Sequence, residues 1–283
     1  MFNRITILGV GLIGASFALA MKKEGLCRHI TGFGRKEENL KKARERGIID
    51  TYELDPAAAC TDSDLVLLST PVGSFTDLIR RCSPSLKEGS IVTDAGSVKG
   101  SLVRDIERLM PAGVHYVGGH PIAGSDRSGI DSARAELFRE AKCIVTPTGN
   151  SDAGALKTVS DIWTALGSQV LTMDPATHDR IYAAVSHFPH LTAYALINTV
   201  ADMDASYFAF SGQGLKDTTR IASSSPEMWR DICLLNRENL IEMISLFQKN
   251  LDSLSRHLRA SDSVSLEREF ERARTLRAGI GQD

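Results

Sequence analysis

The chain has no CxxC pair, and its five cysteines, Cys27, Cys60, Cys82, Cys143 and Cys233, stand far apart and are odd in number. Neither a zinc-site signature nor a disulfide framework is present, and a reducing compartment fits best. The N-terminal stretch MFNRITILG has no basic segment followed by an apolar export signal, so a cytoplasmic location is expected. No run is long and apolar enough to cross a bilayer. A dominant sign of charge is missing as well. Thirty-three Lys and Arg are interspersed with 35 Asp and Glu, net −2, which gives no basic footprint for nucleic acid. Internal repeats and low-complexity segments are absent, and Ser223-Ser224-Ser225-Pro226 reads as a short connection between helices.

What remains is the composition of a folded protein, 42% hydrophobic and 24% charged. A length of 283 residues suits two domains with a cleft between them. Strand patterns at Arg4–Leu8, His29–Phe33, Asp64–Thr70, Ser90–Asp94, Val114–Val117, Lys142–Thr146 and Gln169–Thr172 alternate, over the first half, with helical patterns at Leu12–Lys23, Glu37–Arg46, Gly73–Cys82 and Ser101–Met110. Strands with few polar positions between helices predict a doubly wound α/β fold, Rossmann-like, with a mainly parallel sheet covered on both faces. Past Asp174 the strand signals stop, and helical spacing takes over, as in Leu240, Met243, Ile244, Phe247 and Leu251. The expected domains are therefore 1–173, binding a dinucleotide, and 174–283, all-helical. The segment from His187 to Met203 is apolar nearly all round and is expected to be buried, with a second subunit as one way to bury it.

Gly9-Val10-Gly11-Leu12-Ile13-Gly14 lies between the first strand and the first helix, where a pyrophosphate can approach bare backbone and rest on the helix N-terminus. The alternative is a set of glycines that merely permit a tight turn. At the end of the second strand, where an acid would hold the ribose of NAD+, the chain reads Gly34-Arg35-Lys36. Arg35 suits the 2′-phosphate of NADP+, unless it is only a solvated loop charge. Thr70 and Pro71, after another parallel strand, border the same expected cofactor site. Ser97 follows the next strand and either binds a ligand or caps the helix beginning near Gly100. Gly118-Gly119-His120-Pro121-Ile122-Ala123-Gly124-Ser125 reads as a site-building loop after a strand. His120 there has the side chain best suited to act as a base near neutrality. Arg220, His190 and Trp229 by themselves read as a surface ion pair with Asp217, a helix-packing histidine and a core aromatic.

Taken together, GxGLIGxS, DAGSVK, GGHPIAGS, SHFPH and GLKDTTRIASSSPEMW resemble, in this order, the prephenate and arogenate dehydrogenase family. The resemblance spans nearly the whole chain, and its most specific part is GGHPIAG followed by SHxPH and KDxTRIA. It implies a Rossmann-like domain, a helical domain that forms a homodimer, and a cleft site where NAD+ or NADP+ takes a hydride. By the same resemblance His120 is the catalytic base toward the C4 hydroxyl of prephenate. Ser97, His187, His190 and Arg220 line the substrate site, Arg220 gripping a carboxylate. Asp126 is placed at the cleft mouth, opposite a cation. The family's usual acidic ribose selector is replaced here by Gly34-Arg35, which leaves the choice between NAD+ and NADP+ open. No further regulatory module is expected, so any inhibition by tyrosine would act at the active site.

Three other readings stay open. An arogenate-using or dual-specificity relative differs only in tolerating a side-chain ammonium. A β-hydroxyacid dehydrogenase would use a lysine base on the helical domain. A redox sensor would need the glycine loop but no convergence of His120, His190 and Arg220.

Overall fold

The structure, a computed structural model, describes residues 1–124 and 129–280. The strands are β1 (Phe2–Leu8), β2 (Cys27–Phe33), β3 (Thr51–Glu53), β4 (Leu65–Leu68), β5 (Ile91–Asp94), β6 (His115–Pro121), β7 (Lys142–Thr146) and β8 (Gln169–Thr172). Between them lie α1 (Leu12–Lys23), α2 (Glu37–Glu45), α3 (Pro56–Cys60), α4 (Phe75–Cys82), α5 (Gly100–Glu107) and α6 (Ala153–Ala165). After β8 come α7 (Pro175–Tyr182), α8 (Phe188–Asp204), α9 (Gln213–Thr219), α10 (Pro226–Leu235), α11 (Arg237–Arg259) and α12 (Ser263–Ala278), and no described residue past Thr172 is in a strand. The chain divides into two compact units, Met1–Asn236 and Arg237–Asp283.

The expected doubly wound sheet is present, in the order β3-β2-β1-β4-β5-β6-β7-β8, and every neighbouring pair is parallel except β6 with β7. Its strands are apolar throughout because both faces are covered. Along β4, Leu65 and Leu67 join one core cluster with Phe17, Met21 and Trp163, while Val66 and Leu68 join another with Phe75, Ile79 and Trp229. That alternation follows from the two-residue period of a strand. Each such fully buried side chain contributes about 1.5–3 kcal/mol. The chain order reverses between β1 and β4, so the crevice beyond their carboxyl ends is where an open α/β sheet receives ligands.

The structure corrects the sequence reading at two places. The short β3 and α3 carry too few residues to show a period, although Asp55 caps α3 by accepting from the Ala58 amide at 3.2 Å. His120 is not in a loop: β6 runs on to Pro121, paired parallel with β5 up to Val117 and antiparallel with β7 from Gly118 onward. The glycines before it serve close packing of strands, since a Cβ on Gly119 would lie 2.7 Å from the Asp94 carbonyl oxygen. Segment α8, expected to be buried with a second subunit as one way to bury it, is partly exposed in the single chain. Of its residues only Ala193 is buried, although the helix packs on α9 and on the turn Arg220–Ser223.

Between α7 and α8 the helix widens into a π turn, Ala183–His187. Pro189 has no N–H for the preceding turn, which is the local reason for the change of pitch. The wide turn brings both histidines of SHFPH toward Trp229, with His190 stacked on the indole at 3.6 Å between ring centroids and His187 edge-on at 6.0 Å.

Candidate active site

A cavity of about 640 Å³ opens at the crevice between β1 and β4. Gly9, Gly11, Gly34, Arg35, Thr70 and Pro71, all expected at a cofactor, line it. Gly9 has φ +108°, and a Cβ there would sit 2.7 Å from the main chain of Ser69 and Thr70. A Cβ on Gly14 would lie 2.2 Å from the Gly9 carbonyl oxygen, so this glycine lets α1 start tight against the strand. Gly11 has nothing within 4 Å of the place a Cβ would take, which leaves bare backbone at the first turn of α1. These are the features a dinucleotide pyrophosphate requires, and the residues present fit it. Leu12 and Ile13 pack against the core beside this turn and do not line the cavity.

Sequence reading missed the far wall of the cavity. Asp77 and Arg81 come from α4, and Glu227, Arg230 and Asp231 come from α10, more than a hundred residues away. The signal was present in the PEMWRD segment, whose charged residues occupy one side of a helix and whose tryptophan occupies the other. Trp229 faces the histidines while its neighbours face the cofactor cavity, so one helix borders both sites.

At the end of β6 the ring of His120 is held from behind. Its Nδ1 lies 2.8 Å from Nε2 of His178, and Nδ1 of His178 lies 2.8 Å from Oδ1 of Asp179. A carboxylate oxygen only accepts, so His178 carries its proton on Nδ1 and presents a lone pair at Nε2. His120 must then donate from Nδ1, and its Nε2 is left as a proton acceptor. Burial, with the nearby His178 and Lys99, holds His120 well below the ordinary histidine range and keeps the ring neutral. Burial lowers His178 in the same direction, against the opposing pull of Asp179. Tyr182 closes the arrangement, its ring 4.8 Å from that of His120 and 4.5 Å from that of His178.

Beneath this relay lies an ion pair with no exposure, Lys99 with Asp94. Asp94 also accepts from the Tyr116 hydroxyl at 2.6 Å and the Gly96 and Gly119 amides at 2.7 and 3.2 Å. The ammonium of Lys99 donates in addition to the Gly96 carbonyl at 2.7 Å. This network ties the turn after β5 to the strand residue preceding His120. Asp94 and Lys99 bracket the DAGSVK motif, and their pairing was not read from it. Ser97 within that motif is half-buried and caps nothing: the residue at the cap of α5 is Lys99, no side chain caps its first turn locally, and the Lys99 amide donates instead to Asp179 at 2.8 Å. The cap reading of Ser97 therefore fails, because the carboxylate from α7 occupies that end of the helix.

Of the remaining substrate-site candidates, His187 and His190 meet at Trp229, with Arg220 near His190. His187 is fully buried, its Nδ1 3.0 Å from the Asn236 amide nitrogen, and burial pushes it down to about 4. Among the described residues the buried Nε1 of Trp229 has no hydrogen-bond partner. His190 donates from Nδ1 to the Ser186 carbonyl at 2.9 Å, so its Nε2 is also an acceptor. Burial lowers its pKa, and the adjacent positive charge of Arg220 adds to the effect. Asp126 lies outside the described residues. Sequence reading missed His178, Asp179, Tyr182 and Asn236; His178-Asp179 sits in a stretch that showed only helical spacing.

The chain is similar to known proteins along most of its length. The profile of the prephenate dehydrogenase nucleotide-binding domain matches residues 17–172, and that of the prephenate dehydrogenase dimerization domain matches residues 174–272. The chain is 31% identical to prephenate dehydrogenase of Bacillus subtilis (strain 168), over 99% of this chain and 76% of that protein. It is 32% identical to cyclohexadienyl dehydrogenase of Zymomonas mobilis, over 100% of this chain and 97% of the relative. Among solved structures, prephenate dehydrogenase from A. aeolicus in complex with hydroxyphenyl propionate and NAD+ superposes with a TM-score of 0.93 at 37% identity, covering 99% of each chain. With its fold, its nucleotide-binding crevice and both domain profiles in agreement, the chain belongs to the prephenate dehydrogenase family.

Proposed function

We propose that the chain converts prephenate to 4-hydroxyphenylpyruvate by oxidative decarboxylation, with hydride transfer to NAD+ or NADP+, as a step in tyrosine biosynthesis. The observation that carries this reading is the relay Asp179–His178–His120, which fixes a neutral base with an acceptor nitrogen near the carboxyl end of β6. A bound nicotinamide dinucleotide would supply the hydride acceptor.

The chain's own residues do the rest. His120 takes the C4 hydroxyl proton at Nε2, and the proton taken there leaves His178 and Asp179 to stabilise the imidazolium formed. Arg220 grips a carboxylate of the substrate bidentately, and His190, stacked on Trp229, offers Nε2 to the same ligand. Ser97, His187 and Asp126 complete the substrate contacts. Loss of carbon dioxide aromatises the ring and makes the step irreversible.

In this reading residues 1–173 carry the cofactor and 174–283 carry substrate contacts and dimerisation. Arg35, in place of an acidic ribose selector, suits the 2′-phosphate of NADP+, so the chain uses NADP+ as well as NAD+. The open apolar surface of α8 and the exposed Ile241, Leu246 and Leu251 of α11 are covered by a second copy of the chain in a homodimer. No described helix is long and apolar enough to cross a membrane, and the described cysteines are all free, in keeping with a cytoplasmic enzyme. A second reading, dual use of prephenate and arogenate, is favoured by the similarity to a cyclohexadienyl dehydrogenase. The test is a spectrophotometric assay of reduced nicotinamide with prephenate and with arogenate, each with NAD+ and NADP+. Reduction with prephenate supports the proposal; silence with all four pairs removes it.

A further inference from the structure

The carboxylate missing from the end of β2 is replaced, in space, by one from α10. Glu227 lines the cofactor cavity together with Arg35, and its Oε1 lies 3.9 Å from the Arg35 guanidinium. Both side chains are more than half exposed, at 79% for Arg35 and 57% for Glu227. An exposed pair at that distance holds together by about 0–1 kcal/mol, so a ligand separates it at little cost. Glu227 lies in the first turn of α10, where the helix N-terminus favours a negative charge. Of the other charged residues that line the cavity, Arg230 holds Asp231 at 2.6 Å and Arg81 holds Asp55 at 3.2 Å.

We propose that Glu227 and Arg35 together set the cofactor preference, Glu227 as the acceptor for the adenosine ribose hydroxyls of NAD+ and Arg35 as the partner of the 2′-phosphate of NADP+. This rests on the reading of the cavity as a nicotinamide dinucleotide site. When NAD+ is bound, the ribose hydroxyls donate to Glu227, and Arg35 keeps the carboxylate charged and oriented. When NADP+ is bound, Arg35 turns to the phosphate, and Glu227 becomes a like-charge neighbour that weakens the complex. The two residues act in opposite directions, so the chain accepts both cofactors, in a ratio that either residue can tilt. Because Glu227 is carried by the helix that bears Trp229, the ribose end of the cofactor and the substrate histidines are read by one rigid element.

The test is equilibrium binding of NAD+ and of NADP+, by calorimetry without the second substrate, to the full-length protein and to its Glu227→Gln and Arg35→Ala variants. Glu227→Gln is expected to weaken NAD+ by about tenfold, the value of one charge-assisted hydrogen bond, and to tighten NADP+. Arg35→Ala is expected to weaken NADP+ more than NAD+. Glu227→Asp, which keeps the charge on a shorter stem, is expected to fall between wild type and Glu227→Gln. An unchanged ratio of the two affinities in Glu227→Gln overturns the proposal while leaving the cavity reading intact. Failure of the unsubstituted protein to bind either dinucleotide overturns both.

Discussion

Asp179 accepts from two directions at once through the same oxygen: the Nδ1 proton of His178 and the main-chain amide of Lys99, each at 2.8 Å. One carboxylate thus fixes the tautomer behind the proposed base and the start of the helix after DAGSVK. Replacing it with an amide keeps the shape and loses the obligatory acceptor. Asp179→Asn is predicted to lower kcat by about 10²-fold or more, since a wrong tautomer removes the base without removing the ring. Dinucleotide affinity, measured by calorimetry, should be unaffected. An Asp179→Asn enzyme with wild-type kcat would show that the relay does not govern His120.

The depressed pKa of His120 places the acid limb of the activity profile. Protonation of the base stops the reaction, and burial moves that protonation well below the ordinary value of 6.5. The pH profile of kcat/KM is predicted to stay flat as pH falls through 6.5 and to drop only below it. A midpoint above 6.5 would contradict the assignment.

Stability should follow pH with the sign set by the buried histidines. The folded-state pKa of His187 is lowered to about 4, whereas an unfolded histidine titrates near 6.5. Below 6.5 the unfolded chain binds a proton that folded His187 refuses, so stability falls with falling pH until about 4. The full difference is on the order of 3 kcal/mol for this one group. Thermal unfolding between neutral and mildly acid pH should show the decline, and His187→Asn should flatten it.

Lys99 without Asp94, or the reverse, leaves a buried group uncompensated. Lys99→Met is predicted to destabilise the fold by about 3–5 kcal/mol in denaturant unfolding, and adding Asp94→Asn should restore part of the loss. Equal losses from the single and the double substitution would mean that the ion pair is not what the fold depends on.

The sheet and the cofactor crevice were legible because their signals are local. The Gly9–Gly14 segment, the β-branched run before it and the helix after it lie within 23 residues of each other, and their periods announce the fold. The relay was not legible, because His178 meets His120 across 58 residues and neither has a spacing that points to the other. The GGHP segment misled in a particular way: glycines usually mean a loop, yet Gly119 is required here by the approach of the Asp94 main chain to a strand. Segment α8 was legible only in part, since an apolar helix implies a cover without saying which chain supplies it.

The central claim is that His120 is the base, and kinetics of His120→Asn with calorimetric binding of the cofactor tests it most directly. Turnover of prephenate should fall by about 10²- to 10⁴-fold while NAD+ or NADP+ affinity stays within error of wild type. Ordinary turnover in His120→Asn would contradict the account.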